Sequence, residues 1–396
     1  MSAPREIRWS AGPRTFVIPA AVGLGALGLG ALTALAGDAA RADFFRAYLT
    51  SLVFYLSLAL GALVFVLLAH LMRAGWSVAL RRVAEVVAWT LVPLAPLTLV
   101  VILGLHDLYE WSHADAVAHD ALLQHKQAWL NPTFFVLRIV AYVVVWAGMA
   151  TLLLRRSLVQ DRTGDPELTV RNENFAGPAT IVFAFSVTFA SFDLLMSLDP
   201  HWYSTIFGVY YFAGAFLGFT ALLVVLLAVL GRHSEIGHLV GTEHRHDLGK
   251  LLFSFVVFWA YIGFSQYMLI WYSNLPEETV WYAARQTDPW TAVSWLLLFG
   301  HFLAPFLVLM SRHPKRRNTV LLGAALWLLA MHALDLYWLV MPSVRPAGPL
   351  VRLVDVACFV GLGGLFCAAL AWRLARVNLI PLRDPRLDES LGFENA

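Results

Sequence analysis

Long apolar runs alternate with short polar connections along the whole chain. Ten of these runs, at 16–36, 47–71, 83–104, 132–154, 176–196, 206–230, 248–272, 290–311, 319–340 and 351–373, are long enough to cross about 30 Å of hydrocarbon as helices. The pattern predicts an all-α integral membrane protein with ten transmembrane helices. The first run ends in Ala34-Leu35-Ala36, which resembles a signal-peptide cleavage site. It is longer than the usual apolar core of about 7–15 residues, so it reads as a retained span.

The polar connections give these spans a direction. Twenty Lys and Arg, including Arg5, Arg8 and Arg14, fall on the side of the N-terminus and six on the other, while Arg138 and Lys250 lie inside spans. Positive residues favour the cytoplasmic side, so both termini are expected there, as an even number of spans also requires. Spans two to five (47–196) and six to nine (206–340) each begin and end on the outer side and predict two four-helix bundles. The runs 16–36 and 351–373 flank them, and 374–396 forms a cytoplasmic tail. Asp193-Leu194 precedes Pro200 by the same seven residues that separate Asp335-Leu336 from Pro342, a weak sign of a parallel repeat. The flanking runs carry small residues at helix-packing spacing, Ala26 and Gly30 in one and Gly361, Gly363 and Gly364 in the other.

Composition agrees with a membrane solvent. Of the 396 residues 59% are hydrophobic and 14% charged, with a mean hydropathy of +0.68, whereas soluble domains carry about 25% charged residues. Trp and Tyr are abundant, as in the aromatic belts of bilayer surfaces. The cations are spread over short loops, which gives no footprint for nucleic acid. Cys358 and Cys367 are the only thiols. Nine residues apart on one helix, they face opposite ways, so a disulfide or shared metal is not expected. Two thiols are too few for an iron–sulfur cluster, and no C-x-x-C-H run is present for covalent haem.

Ionisable residues inside a bilayer cost at least about 2.5–3.5 kcal/mol each near its centre and need a reason. Lys250, Glu85 and His70 lie near cytoplasmic helix ends, where snorkelling accounts for them. The deeper ones are His301, His332, Asp335, Asp193 and Arg138. His332 and Asp335 are three residues apart and share a helix face. Taken together these residues suggest one polar ladder from the midplane to the outer surface, suited to a proton relay because His and Asp titrate between about pH 4 and 7. Pro305 cannot donate to the carbonyl of His301, which suits a water, proton or quinone-oxygen site there. Pro93 and Pro96 read as a kink. A haem shared by His301 and His332 is disfavoured by their different depths. The His and acid residues of the outer loop 105–131 match no compact metal motif. From the midplane inward the spans offer hydroxyls such as Ser254, Thr180 and Ser186, with no comparable carboxylate row.

Three stretches carry a family resemblance. They are H-D-L-Y-E-W-S-H (106–113) with Lys126, Leu130-Asn131 and Arg138; S-F-D-L-L-M-S-L-D-P-H-W-Y-S-T-I-F-G-V-Y-Y-F-A-G (191–214); and H-D-L-G-K-L-L-F-S-F-V-V-F-W-A-Y-I-G-F-S-Q-Y-M-L-I-W-Y-S-N-L-P-E-E-T (246–279). The chain resembles the shorter of the two polysulfide-reductase-like (NrfD/PsrC-type) membrane subunits of alternative complex III, the bacterial quinol:cytochrome c oxidoreductase. The resemblance implies two four-helix bundles with a flanking helix on each side and location in the bacterial inner membrane. It implies no redox cofactor in this chain and a quinone or quinol (menaquinone or ubiquinone) as the non-covalent ligand. The implied partners are a longer sister membrane subunit, an iron–sulfur subunit and c-type cytochrome subunits. The implied role is quinone binding or proton conduction coupled to quinol oxidation. His106, Asp107, Arg138, Asp193, His301, His332 and Asp335 are the candidate residues, the last three chosen mostly for their burial. Asp199, His201 and Trp202 are expected to form an outer turn joining the bundles. Two other classes stay open at this level: a structural scaffold whose acids pair with Arg138 or each other, and a stand-alone ion-coupled transporter.

Overall fold

The computed structural model describes residues 6–394; Arg5, counted above, and the last two residues of the tail lie outside them. Ten helices are long and apolar enough to cross a membrane: α1 (Arg14–Ala36), α2 (Asp38–Leu71), α3 (Gly75–Leu103), α4 (Pro132–Thr163), α5 (Glu167–Leu198), α6 (Phe207–His233), α7 (Thr242–Ser273), α8 (Asp288–Met310), α9 (Asn318–Val340) and α10 (Leu353–Leu374). Among the described residues there is no strand, and the chain is an all-α, multi-pass membrane protein.

Local chemistry sets several boundaries. The Asn131 side chain caps α4 by accepting from Phe134 N at 2.9 Å, with Pro132 in the first turn, and Gly164 at φ +70° ends the helix in the left-handed region. The 32 residues of α4 and of α7 span about 48 Å, more than the hydrocarbon needs. Their apolar runs therefore underestimate them, because each helix continues into the polar layer on the N-terminal side. Helix α3 is interrupted at Thr90 into Val78–Trp89 and Leu91–Leu103. Pro93 and Pro96 withhold the amides that would bond Trp89 and Val92, and the helix bends there.

Helices α2, α3, α4 and α5 close one bundle, and α6, α7, α8 and α9 close another. The bundles meet where α6 packs against α2 and α5, and α9 against α2. Helices α2 and α6 are therefore central, with 94% and 72% of their apolar windows buried, against 33% in α7 and α8. Gly61 lets α2 and α6 approach closely, since a Cβ there would lie 2.2 Å from the Ala215 carbonyl oxygen.

The flanking helices differ from the arrangement that the resemblance implies. They do not sit one on each side; α1 and α10 pack along each other, and α10 rests on α2. The reason is the small-residue surface. A Cβ on Gly23 would lie 2.8 Å from the Gly361 carbonyl oxygen, and one on Gly364 would lie 2.5 Å from that of Pro19, so the backbones touch.

The tail after α10 folds back over the N-terminal-side end of the first bundle. Asp384 pairs with Arg81, Leu382 N donates to Asp161 Oδ1 at 3.0 Å, and Ser390 Oγ donates to the Trp76 carbonyl at 2.8 Å.

Candidate functional site

The expected single ladder resolves into two separate sites, one in each bundle, which share no hydrogen-bonding partner. In the first bundle, Asp193 near the end of α5 is fully buried and receives four donors. Arg138 of α4 forms a bidentate pair with it, Nε to Oδ2 and Nη2 to Oδ1, both at 2.8 Å. Tyr142, one turn further along α4, donates to Oδ2 at 2.8 Å, and Trp129 Nε1 donates to Oδ1 at 3.0 Å. Arg138 also donates to the Trp129 carbonyl at 3.0 Å and lies over the Trp129 and Phe134 rings. The acid is neutralised and its lone pairs are taken. This geometry is a bidentate, charge-assisted pair.

The second bundle holds the other arrangement. Asp335 in α9 is 1% exposed. It accepts a hydrogen bond from the Tyr210 hydroxyl of α6 and one from Trp259 Nε1 of α7 at 3.1 Å. Both donors are neutral, and among the described residues no cation pairs with this carboxyl. One turn away, His332 is buried at the seam between the bundles, where its Nε2 lies 2.8 Å from Ser57 Oγ of α2. Its Nδ1 has no partner. Gly214 and Gly218 of α6 make room for the ring; a Cβ at either position would lie within 3 Å of an imidazole carbon.

His301 completes this site from α8. It is fully buried, packs against Trp259 with ring centroids 4.0 Å apart and planes tilted by 36°, and has no hydrogen-bond partner on either ring nitrogen. Trp259 thus touches both His301 and Asp335. The backbone here is a π-helix over Leu297–Leu303. Pro305 removes the amide that an α-helix would use to bond the His301 carbonyl, and the wider turn accommodates that loss. The neighbouring Gly300 carbonyl accepts from Trp327 Nε1 at 2.7 Å.

Asp193 and Asp335 make a direct comparison. Each lies in the last helix of its bundle, and each accepts from one tyrosine hydroxyl and one indole. Only Asp193 has an arginine. The first carboxyl is held by a charged, bidentate partner, whereas the second meets only neutral donors in a low-dielectric site.

Between Asp335 and the outer surface lies a polar group of side chains. Ser204 donates to Gln266 Oε1 at 3.0 Å, and Gln266 Nε2 donates to the Tyr282 hydroxyl at 3.0 Å. Arg285, in the short outer helix Pro276–Arg285, is fully buried over the Trp281 ring. It donates to the Trp281 and Leu339 carbonyls at 2.8 Å, and its nearest acid is Asp199 at 3.9 Å. Burial pushes this guanidinium down to about 9, with Asp199 opposing the shift.

The outer turn has the expected members. Asp199 accepts from Ser343 at 2.8 Å, and Trp202 stacks on Trp281 at 4.4 Å. His201 meets Asp120 of the loop before α4 at 2.6 Å. That contact, followed by the amides of Leu123 and Leu122, holds Asp120 below the usual carboxylate range. Lys126 donates to the Pro200 carbonyl at 2.6 Å, and burial lowers its ammonium. His106 and Asp107 lie at this surface, apart from both buried acids. Asp107 pairs with Arg41 at 3.0 Å, and His106 Nδ1 meets Ser112 Oγ at 3.0 Å. Among the described residues no three His, Cys, Asp or Glu converge as a metal site.

Two expectations for the N-terminal side are corrected. Glu85 and His70 do not snorkel; they are 1% and 2% exposed. Glu85 is bracketed by Arg82 at 3.1 Å and Arg81 at 3.4 Å, and Arg82 continues to Asp161 at 2.7 Å. The tail covers this group, so its charges cannot reach water. The half of the spans on the N-terminal side therefore does contain carboxylates. Lys250 is half exposed beside Asp247, as snorkelling requires.

Sequence reasoning passed over Tyr210, Trp259, Ser57, Tyr142 and Arg285. Tyr142 was detectable, four residues after Arg138 on the same face. Ser57 was not, because its partner lies on α9. No known family model matches the chain, and no curated protein matches it.

Proposed function

We propose that this chain is a membrane subunit of a bacterial quinol:cytochrome c oxidoreductase of the alternative complex III type, seated in the inner membrane with both termini in the cytoplasm. In this reading the second bundle carries protons coupled to quinol oxidation. The observation that carries the proton role is the uncompensated Asp335 carboxyl, with His332 one helical turn away and His301 across Trp259. The stretches 106–113, 191–214 and 246–279, which resemble that family, support the assignment to the complex.

Quinol oxidation releases two protons with two electrons. The electrons pass to iron–sulfur and c-type haem partner subunits. A proton needs an acid or imidazole at each step, and Asp335, His332 and the phenol of Tyr210 provide such groups. Ser204, Gln266 and Tyr282 lie on the outer side of that cluster. The first bundle is read as structural, because four donors from Arg138, Tyr142 and Trp129 occupy Asp193.

Purification of the intact complex through a tag on this chain tests the assignment. The expected result is co-purification of a second membrane subunit, iron–sulfur clusters and c-type haem, with quinol:cytochrome c reductase activity. Recovery of the chain alone, with solute uptake in liposomes, would sink this reading in favour of a transporter.

A further inference from the structure

A second site lies at the N-terminal-side end of the second bundle and is independent of the proton reading. A cavity of about 140 Å³ opens between the end of α6 and the starts of α7 and α9. Arg232 and Arg245 line it, together with Asn318. Neither arginine has an acidic partner among the described residues. Arg245 donates to the Val240 carbonyl at 2.9 Å and to Thr242 Oγ1 at 3.2 Å, and its Nε is buried without an acceptor. Glu243, close by in sequence, is engaged by Arg316.

The backbone adds to this positive field. Helix α9 begins at Asn318, which lines the cavity, and its start is not capped by a side chain. Two arginines and one helix N-terminus lining one small cavity favour an anion. The walls identify its source. Val224, Leu227 and Ala228 continue from Arg232 along α6, with Leu248 opposite. The stretch from Arg232 to Val224 rises about 12 Å toward the bilayer interior. A free anion has no use for such a wall, whereas an acyl chain does.

We propose that this pocket binds the headgroup phosphate of an anionic phospholipid. The cavity has the volume of four to five waters at about 30 Å³ each, which suits one phosphodiester with its chains left along α6. Basic pockets between helices at this membrane face are suited to such lipids.

The test reconstitutes the full-length protein in nanodiscs of phosphatidylcholine with a minor fraction of phosphatidylglycerol, and reads retained lipid by native mass spectrometry. Wild type should retain phosphatidylglycerol preferentially. The double variant Arg232→Gln/Arg245→Gln should lose that preference by roughly tenfold, while Arg312→Gln, outside the pocket, should keep it. Ala228→Phe, which fills the wall and leaves both arginines in place, should also lower it. Helicity by circular dichroism confirms that each variant is folded. Equal retention by wild type and the folded double variant would overturn the proposal. Displacement of the lipid by millimolar inorganic phosphate would overturn the lipid assignment in favour of a free phosphate site.

Discussion

Two aspartates of similar depth have opposite surroundings, and that contrast separates structure from chemistry. Asp193 was legible in the sequence as a buried acid, and Arg138 as a buried base. Their pairing was only one open alternative, acids pairing with Arg138 or with each other, because nothing in the spacing of residues 55 positions apart fixes which faces meet. Removing one member of a buried pair costs about 3–5 kcal/mol, so Asp193→Asn should lower unfolding stability by that order in denaturant titrations. A loss below about 1 kcal/mol, typical of an exposed pair, would contradict the ion pair described. His332 depends on two glycines. Gly218→Ala would place a Cβ 2.7 Å from its Cδ2, with Leu58 blocking retreat at 3.0 Å. The imidazole should lose its contact with Ser57, read as an altered nitrogen shift of His332 by NMR, while assembly persists. An unchanged shift would mean that the ring has room the packing does not show.

At the level of elements, sequence located ten helices and the disturbances in two of them. Pro93 and Pro96 indicated the bend of α3, and Pro305 indicated a freed carbonyl in α8. The form of the second disturbance, a π-helix over Leu297–Leu303, depends on packing against Trp259 and Trp327 and was beyond local reading. Small residues marked α1 and α10 as packing helices; that they pack on each other depended on which backbones could touch. The outer loop has a testable pH response. Asp120 is depressed below its ordinary value, mainly by His201. A depressed carboxyl contributes its full stabilisation above its unfolded pKa, near 3.9, and loses it as pH falls through the folded value. Cleavage of the 105–131 loop by an acid-active protease should therefore rise below about pH 4. Asp120→Asn retains the N-cap but should remove that acid step; a step of equal size in the variant would assign it to another group.

At the scale of the whole molecule, the order of ten spans was readable from hydropathy. The covering of the N-terminal-side end by the tail was not, because it rests on contacts about 300 residues apart. Glu85 looked like a snorkelling residue only while the tail was imagined in water. Asp384→Asn would leave Arg81 with only the weaker Glu85 contact at 3.4 Å, on a carboxylate that it shares with Arg82. That variant should unfold more easily by roughly 3 kcal/mol and expose the tail to protease, and a tail as resistant as in wild type would refute its anchoring role. The proposed proton role of Asp335 sets it apart from the arginine-paired Asp193. That role is tested most directly by proton translocation in proteoliposomes of the intact complex during quinol:cytochrome c turnover, with Asp335→Asn compared against wild type. Electron transfer and subunit composition should persist while protons appearing on the outer side per electron fall; an unchanged proton yield from a fully assembled Asp335→Asn complex would rule that role out.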